Sequence, residues 1–212
     1  MIQPELPVPG PAYRILTPRL VLRCWEPRDA PALKAAVDAS LAHLAPWLAW
    51  ARNEPTSVQD KIDLLRTWRG QFDLDRDFVY GIFGPDERWV IGSSGLHTRV
   101  GAHAREIAYW IRVEQIGRGY ATEATAALTR VGFEIEHLTR IDIRVAVDNE
   151  RSANVPRKLG YTHEATLRRR DPTPHGTLRD VMLWTMLADE YPASPAATLP
   201  IEAYDAAGRR IL

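Results

Sequence analysis

The stretch Gln115-Ile116-Gly117-Arg118-Gly119-Tyr120-Ala121-Thr122-Glu123 joins two patterns of different period. Before it, Glu106 to Val113 reads as a strand. After it, Ala121, Ala124, Leu128, Val131, Ile135 and Leu138 recur at helical spacing, which predicts a helix over Tyr120 to His137. A strand, a glycine turn and a long helix in succession are accommodated by a sheet with a helix packed on its face. Such a turn is an anion site by geometry. The first N–H groups of the helix lack internal partners, the helix dipole adds partial positive charge, and glycines let the backbone come close. Two glycines serve a purely conformational turn equally well, so the pattern alone leaves both readings open.

The rest of the chain supplies the frame. Tyr13 to Trp25 alternates and is read as the first strand, and Asp29 is placed to cap a helix bearing Leu33, Val37, Leu41 and Leu44 that Pro46 stops. A second helix starts at Ser57, with Asp60 as a capping-box partner and Ile62, Leu65, Trp68 and Phe72 facing inward. Phe78 to Phe83, Trp89 to Leu96 and Glu106 to Val113 form an antiparallel meander. After the long helix come a strand at Ile141 to Val147, a short helix near Ser152 to Leu159, and strands at Tyr161 to Arg168 and Val181 to Leu187. The order βααβββαβαββ predicts an α/β chain (a mixed α+β sheet), mostly antiparallel, with helices on both faces.

Residues 14–190 are expected to form one domain after a flexible segment, 1–13. Residues 191–200 read as a Pro/Ala linker, and 201–212 as a strand-like tail. The tail regains apolar alternation in Ile201, Ala203, Ile211 and Leu212, so it is expected to dock on its own sheet edge or on a neighbouring subunit. A homo-oligomer, most simply a dimer, is the expected consequence.

Charge removes several functions. Lys+Arg and Asp+Glu both total 27, so no basic excess suits a polyanion or an anionic membrane, and no nucleic-acid or membrane partner is expected. Nothing is apolar for long enough to span a bilayer, Met1 to Pro11 lacks the charged and apolar regions of a signal peptide, and Cys24 stands alone. A cytoplasmic location is expected. A phosphate-binding P-loop requires Gly-Lys-Ser/Thr, but the only lysines are Lys34, Lys61 and Lys158, none after a glycine. A dinucleotide fingerprint would place Gly or Ala at Thr122, although Asp142 lies about twenty residues on and keeps that reading open. Histidine spacing for a metal is absent, since Leu167 stands where His163-Glu164 would require a second histidine.

A second motif changes the balance: Asp148-Asn149-Glu150-Arg151-Ser152-Ala153-Asn154, followed by Lys158-Leu159-Gly160-Tyr161. Together with Glu106-Ile107-Ala108-Tyr109-Trp110-Ile111 and Gly117-Arg118-Gly119-Tyr120-Ala121-Thr122-Glu123-Ala124, it resembles the GNAT superfamily of acyl-CoA-dependent N-acyltransferases. Within that superfamily it is most similar to the RimJ/RimL group of ribosomal-protein N-terminal acetyltransferases. The resemblance spans roughly residues 14 to 190, in matching order and element type.

The resemblance implies a GNAT fold, an acyl-CoA co-substrate and an amine acceptor, either a protein N-terminus or a small amine. It implies that the CoA pyrophosphate is held by the backbone N–H groups of Ile116, Gly117, Arg118, Gly119, Tyr120, Ala121 and Thr122, with the Arg118 side chain as a further contact. It implies that backbone groups of Trp110 to Val113, Ile111 and Val113 among them, pair with pantetheine. Glu106 matches the position of the family's base, against a plain reading as a strand-end carboxylate paired with Arg105. The N–H of Trp110 matches the oxyanion donor. Two departures stand out: Ile116 replaces a polar loop residue, and Pro156 occupies the position where many relatives carry a tyrosine acid. Ser152 is then the remaining hydroxyl for the CoA sulfur, unless it merely caps its helix, and Asn149 contacts CoA or caps the turn. Trp47 and Trp50 fall where relatives wall the acceptor cleft, though tryptophans so spaced also serve as core anchors. His97, Arg99 and His103 sit at a turn where a polar acceptor or acyl group could meet them. Arg168-Arg169-Arg170 reads as a solvated strand end. Acetyl is the expected acyl group, with succinyl as an alternative, and a catalytically silent acyl-CoA-binding module is the alternative function.

Overall fold

The computed structural model describes residues 11–173 and 176–212; most of the N-terminal segment expected to be flexible therefore lies outside the described residues. The elements in chain order are β1 (Arg14–Leu16), β2 (Val21–Cys24), α1 (Ala30–Leu44), α2 (Val58–Asp73), β3 (Phe78–Phe83), β4 (Val90–His97) and β5 (Ala104–Ile111). They continue with α3 (Tyr120–Glu134), β6 (Arg140–Ala146), α4 (Glu150–Leu159), β7 (Thr162–Pro172), β8 (Leu178–Leu187) and β9 (Glu202–Tyr204). One nine-stranded sheet runs β7-β8-β6-β5-β4-β3-β2-β1-β9. It has helices on both faces, as the element order predicts. The larger core packs α3 and α4 on one face around Ile107, Leu128 and Ile141, and the smaller packs α1 and α2 on the other around Trp25, Leu33 and Leu65.

All pairings but one are antiparallel. The exception positions the site: β5 and β6 pair in parallel only at Ala104 to Glu106 against Arg140 to Asp142. Beyond Glu106, β5 stays with β4 through Ile111, and β6 stays with β8 through Ala146. The two strands therefore part, and a gap opens in mid-sheet.

Three details differ from the expectations. The expected first strand is a hairpin, because Pro18 has no N–H for a ladder and Thr17 to Leu20 turns instead, with Thr17 N–H donating to Leu20 O at 3.0 Å. Asp29 makes no side-chain cap on α1. Its carboxylate accepts from the Glu26 N–H and from Arg23, closing the preceding 3-10 turn. Ser57 and Asp60 do form the reciprocal capping box of α2.

The segment expected as a linker is packed. Tyr191–Ala193 and Pro195–Thr198 form 3-10 turns on α3, where Ala196 is fully buried and the Tyr191 ring stacks on Phe133 at 4.9 Å. Small residues that read as linker composition here permit close approach. The tail takes the nearer of its two expected sites: β9 pairs antiparallel with β1 of the same chain, and Ile211 returns to bond Ala203. With that edge filled from within, the tail gives no reason for a second copy.

Candidate active site

A cleft of about 1020 Å³ occupies the gap between β5 and β6. One half is bounded by the loop before α3 and by α4. The other is bounded by the end of α1, the turn before β5 and the outer part of β7. Gly117 and Gly119 take φ of 76° and 81°, the left-handed region where a side chain is strained. Gly119 is the N-cap of α3 and has no side chain with which to cap it. The first helical bond belongs to the Glu123 N–H, so the N–H groups of Tyr120, Ala121 and Thr122 are left for an anion.

Glu123 would ordinarily compete for that position. It is drawn away instead: Oε1 accepts from the Thr17 hydroxyl at 2.6 Å and the Arg19 N–H at 3.0 Å, and Oε2 accepts from Arg19 Nε at 2.6 Å. Arg19 also donates to Arg118 O at 2.9 Å and lies over the Tyr120 ring. Thr17 and Arg19 thus shape the anion loop, a role the sequence analysis missed; the only signal was a Pro-containing turn about a hundred residues away. Ile116 packs its side chain against the larger core and offers only its backbone, and Arg118 is exposed and outside the cleft lining.

Along β5 the parity of the ladder decides which groups face the gap. Arg112 N–H donates to Ile91 O, so alternation turns the N–H groups of Arg112 and Trp110 toward β4 and those of Ile111 and Tyr109 toward the gap. The Trp110 N–H, the expected oxyanion donor, therefore points into the β4 ladder, and the N–H groups that face the gap are those of Ile111 and Tyr109. The Val113 N–H is likewise committed, to Ser40 Oγ at 3.0 Å.

Across the gap, Asn149 caps α4, its Oδ1 accepting from the Ser152 N–H at 3.2 Å, which leaves the Asn149 amide hydrogens for a ligand. Ser152 is not the cap, so its hydroxyl is unspent on the helix. Pro156 lies four residues later and has no N–H for the Ser152 carbonyl. The Tyr109 hydroxyl donates there instead at 3.0 Å, and stands 3.0 Å from Ser152 Oγ as well. Burial raises the Tyr109 pKa above the ordinary tyrosine range, against a smaller opposing effect of the Ser152 bond, so the phenol stays protonated.

Glu106 is buried where the strands part. It pairs with Arg99 at 2.5 Å and lies 3.6 Å from Arg144, while Arg105, its expected partner, pairs with Glu136. Asp142, its register neighbour, is held by Arg140 and Thr185 near the start of β6. The loop follows the other end of β5, so Asp142 is too far along the strands to serve a dinucleotide there. Trp47 lines the cleft beneath Arg179. Trp50 lies outside the lining, half-exposed beside Trp110, and His97 is turned away into a bond with Asp77 at 2.8 Å. Among the described residues no group of three or more His, Cys, Asp or Glu could hold a metal, and no helix is long and apolar enough to cross a membrane.

The family model described as Acetyltransferase (GNAT) domain matches residues 19–162. The chain belongs to the GNAT acetyltransferase family. YoaA of Bacillus subtilis, described as an uncharacterized N-acetyltransferase, is 30% identical over 165 residues, covering 76% of this chain and 91% of its own. The [Ribosomal protein uS5]-alanine N-acetyltransferase of Escherichia coli is 29% identical over 160 residues, 73% of this chain and 80% of its own. Mycobacterium smegmatis RimJ, solved in complex with CoA-disulfide, superposes with a TM-score of 0.75 at 26% identity, covering 89% of this chain and 92% of RimJ. RimL in complex with coenzyme A, at 22% identity and a TM-score of 0.75 over 82% of this chain and 97% of RimL, bears out the GNAT fold. This GNAT chain is an acetyl-CoA-dependent N-acetyltransferase. The uncapped start of α3 and the open backbone edge of β5 suit the phosphates and amides of its co-substrate.

Proposed function

We propose that the acceptor is the primary amine of a polypeptide N-terminus and that the acetyl group passes to it directly, in a ternary complex without an acyl-enzyme. One observation carries this reading: a buried carboxylate, Glu106, and a hydroxyl, Ser152, border the same mid-sheet gap. The E. coli relative, named for an alanine of ribosomal protein uS5, supports an N-terminal acceptor over a small amine or a lysine side chain.

When bound, the co-substrate supplies an acyl group activated as a thioester. The N–H groups of Ile116 to Thr122 hold its pyrophosphate, the gap-facing groups of Tyr109 and Ile111 pair with pantetheine, and the Asn149 amide donates to it. Glu106 takes the amine proton, directly or through one water. The N–H of Ile111 or Tyr109 stabilises the carbonyl oxygen as it gains charge. Ser152 returns a proton to the departing sulfur. The one Tyr109 hydrogen goes to the Ser152 carbonyl, so the phenol oxygen accepts from the Ser152 hydroxyl and holds it in place until that hydrogen turns to the sulfur. Cys24 has no part: it is buried on β2, and burial pushes its thiol up to about 11.

Free-thiol release from acetyl-CoA, measured with N-terminal peptides, N-acetylated lysine peptides and small amines, tests the reading. N-terminal peptides should give the highest kcat/KM, by about tenfold or more. Preferential turnover of the lysine peptides or small amines would overturn it. Repeating the series with succinyl-CoA tests acetyl as the donor.

A further inference from the structure

Three arginines line the acceptor half of the cleft, each delivered by a different element: Arg99 by the turn before β5, Arg144 by β6 and Arg170 by β7. Arg99 donates to Glu106 Oε1 at 2.5 Å, and Arg144 Nε lies 3.6 Å from Oε2. The side chain of Glu106 is 6% exposed while those of Arg99 and Arg144 keep 55% and 49%, so both guanidiniums retain unused edges. Arg170 arrives through an irregularity. The β7–β8 register shifts between Leu167 and Asp171, Arg169 takes φ of 52°, and the next residue meets the cleft. Among the described residues Arg170 has no ion-pair partner. Its neighbour Asp171 is committed to Arg179 at 2.6 Å. Three guanidiniums thus face the acceptor half, two of them beside the single buried carboxylate of Glu106.

We propose that the acceptor carries a carboxylate close to its reacting amine, as a peptide N-terminus with an acidic second or third residue does, and that this carboxylate draws Arg99 off Glu106. The inference rests on Glu106 as the base. A guanidinium fork matches a carboxylate with two parallel bonds, so Arg99 and Arg170 suit an incoming acidic side chain. The exchange leaves Glu106 Oε1 free to accept the amine proton. A dicarboxylic acyl donor would offer the same chemistry, but it would pull Arg99 away before any amine arrived. An acidic acceptor frees the base only when there is an amine to deprotonate.

The test uses peptides that differ only in whether the residue after the first is Glu, Gln or Lys, with acetyl-CoA as donor. Glu peptides should exceed Gln peptides in kcat/KM by about tenfold or more, the scale of one charge-assisted hydrogen bond, with Lys peptides lowest. Arg99→Gln and Arg170→Gln should each compress that ratio toward one, and Arg99→Lys should restore part of it. Calorimetry of the same peptides on the CoA-bound protein reads the preference without turnover. Equal kcat/KM across the three peptides would overturn the inference while leaving N-terminal acetylation standing. So would an Arg99-dependent gain with succinyl-CoA and the Gln peptide, which would assign the carboxylate to the donor. No turnover of any amine, together with charge-independent peptide binding, would remove both this inference and the N-terminal reading.

Discussion

Arg19 Nε and Glu123 Oε2 meet at 2.6 Å across 104 positions of sequence, and the pair keeps a carboxylate from the helix end proposed for the pyrophosphate. Glu123 is nearly buried, so removing the guanidinium leaves its carboxylate with only the Thr17 hydroxyl and the Arg19 N–H, at a cost of about 1–3 kcal/mol. Arg19→Met is expected to lower CoA affinity at least tenfold, because the freed carboxylate can turn toward the α3 N–H groups. Calorimetric titration checks this, and unchanged affinity would separate Arg19 from the loop.

Tyr109 and Ser152 are expected to act as one unit. Ser152→Ala should lower kcat by about a hundredfold or more, the usual scale of a general acid. Tyr109→Phe should lower it about fivefold, the worth of one hydrogen bond, with little change in the KM for acetyl-CoA. In the double variant the tyrosine substitution should add almost nothing. Additive losses would mean that Tyr109 acts independently of Ser152.

Stability should depend on pH through Glu136. Burial lifts its carboxyl from the ordinary 4.5 to about 7, outweighing the opposing pull of Arg105 at 3.0 Å. The folded form therefore holds a proton that the unfolded chain releases near pH 4.5. The resulting stabilisation is full below that pH and is lost as pH rises through about 7. Glu136→Gln should gain on the wild type by on the order of 3 kcal/mol between pH 4.5 and 8. Denaturant midpoints across that range measure it, and parallel curves would contradict it.

Deleting residues 201–212 removes the buried Ile201 and Ala203 and uncovers the β1 edge. The melting temperature should fall by several degrees, since each kcal/mol is worth about 2–4 °C at this chain length. An unchanged midpoint would mean the tail does not dock.

Local patterns carried far in this sequence, and pairings between distant segments did not. The glycine turn, the Ser57 cap and the strand at Phe78–Phe83 rest on neighbouring residues, and they appear where the sequence puts them. The Trp110 N–H faces β4 and not the gap, because a strand's existence can be read from its residues but its hydrogen-bonding parity comes from the partner strand. Glu106 lies on the expected strand, yet its arginine partners come from a turn and a different strand and not from Arg105. Tyr109 had no local signal at all. Its importance follows from a proline on another element that leaves a carbonyl unpaired.

The brief contact between β5 and β6 makes the sheet two rafts, one of β7, β8 and β6 and the other of the remaining six strands, laced together by only three residue pairs. A ligand whose amides lie along the open edge of β5 adds rungs where the protein has none. A co-substrate bound there would be a structural member as well as a reagent: its binding would stiffen the seam beside the acceptor half of the cleft, and release of CoA, which keeps its amides after acetyl transfer, would loosen that seam again.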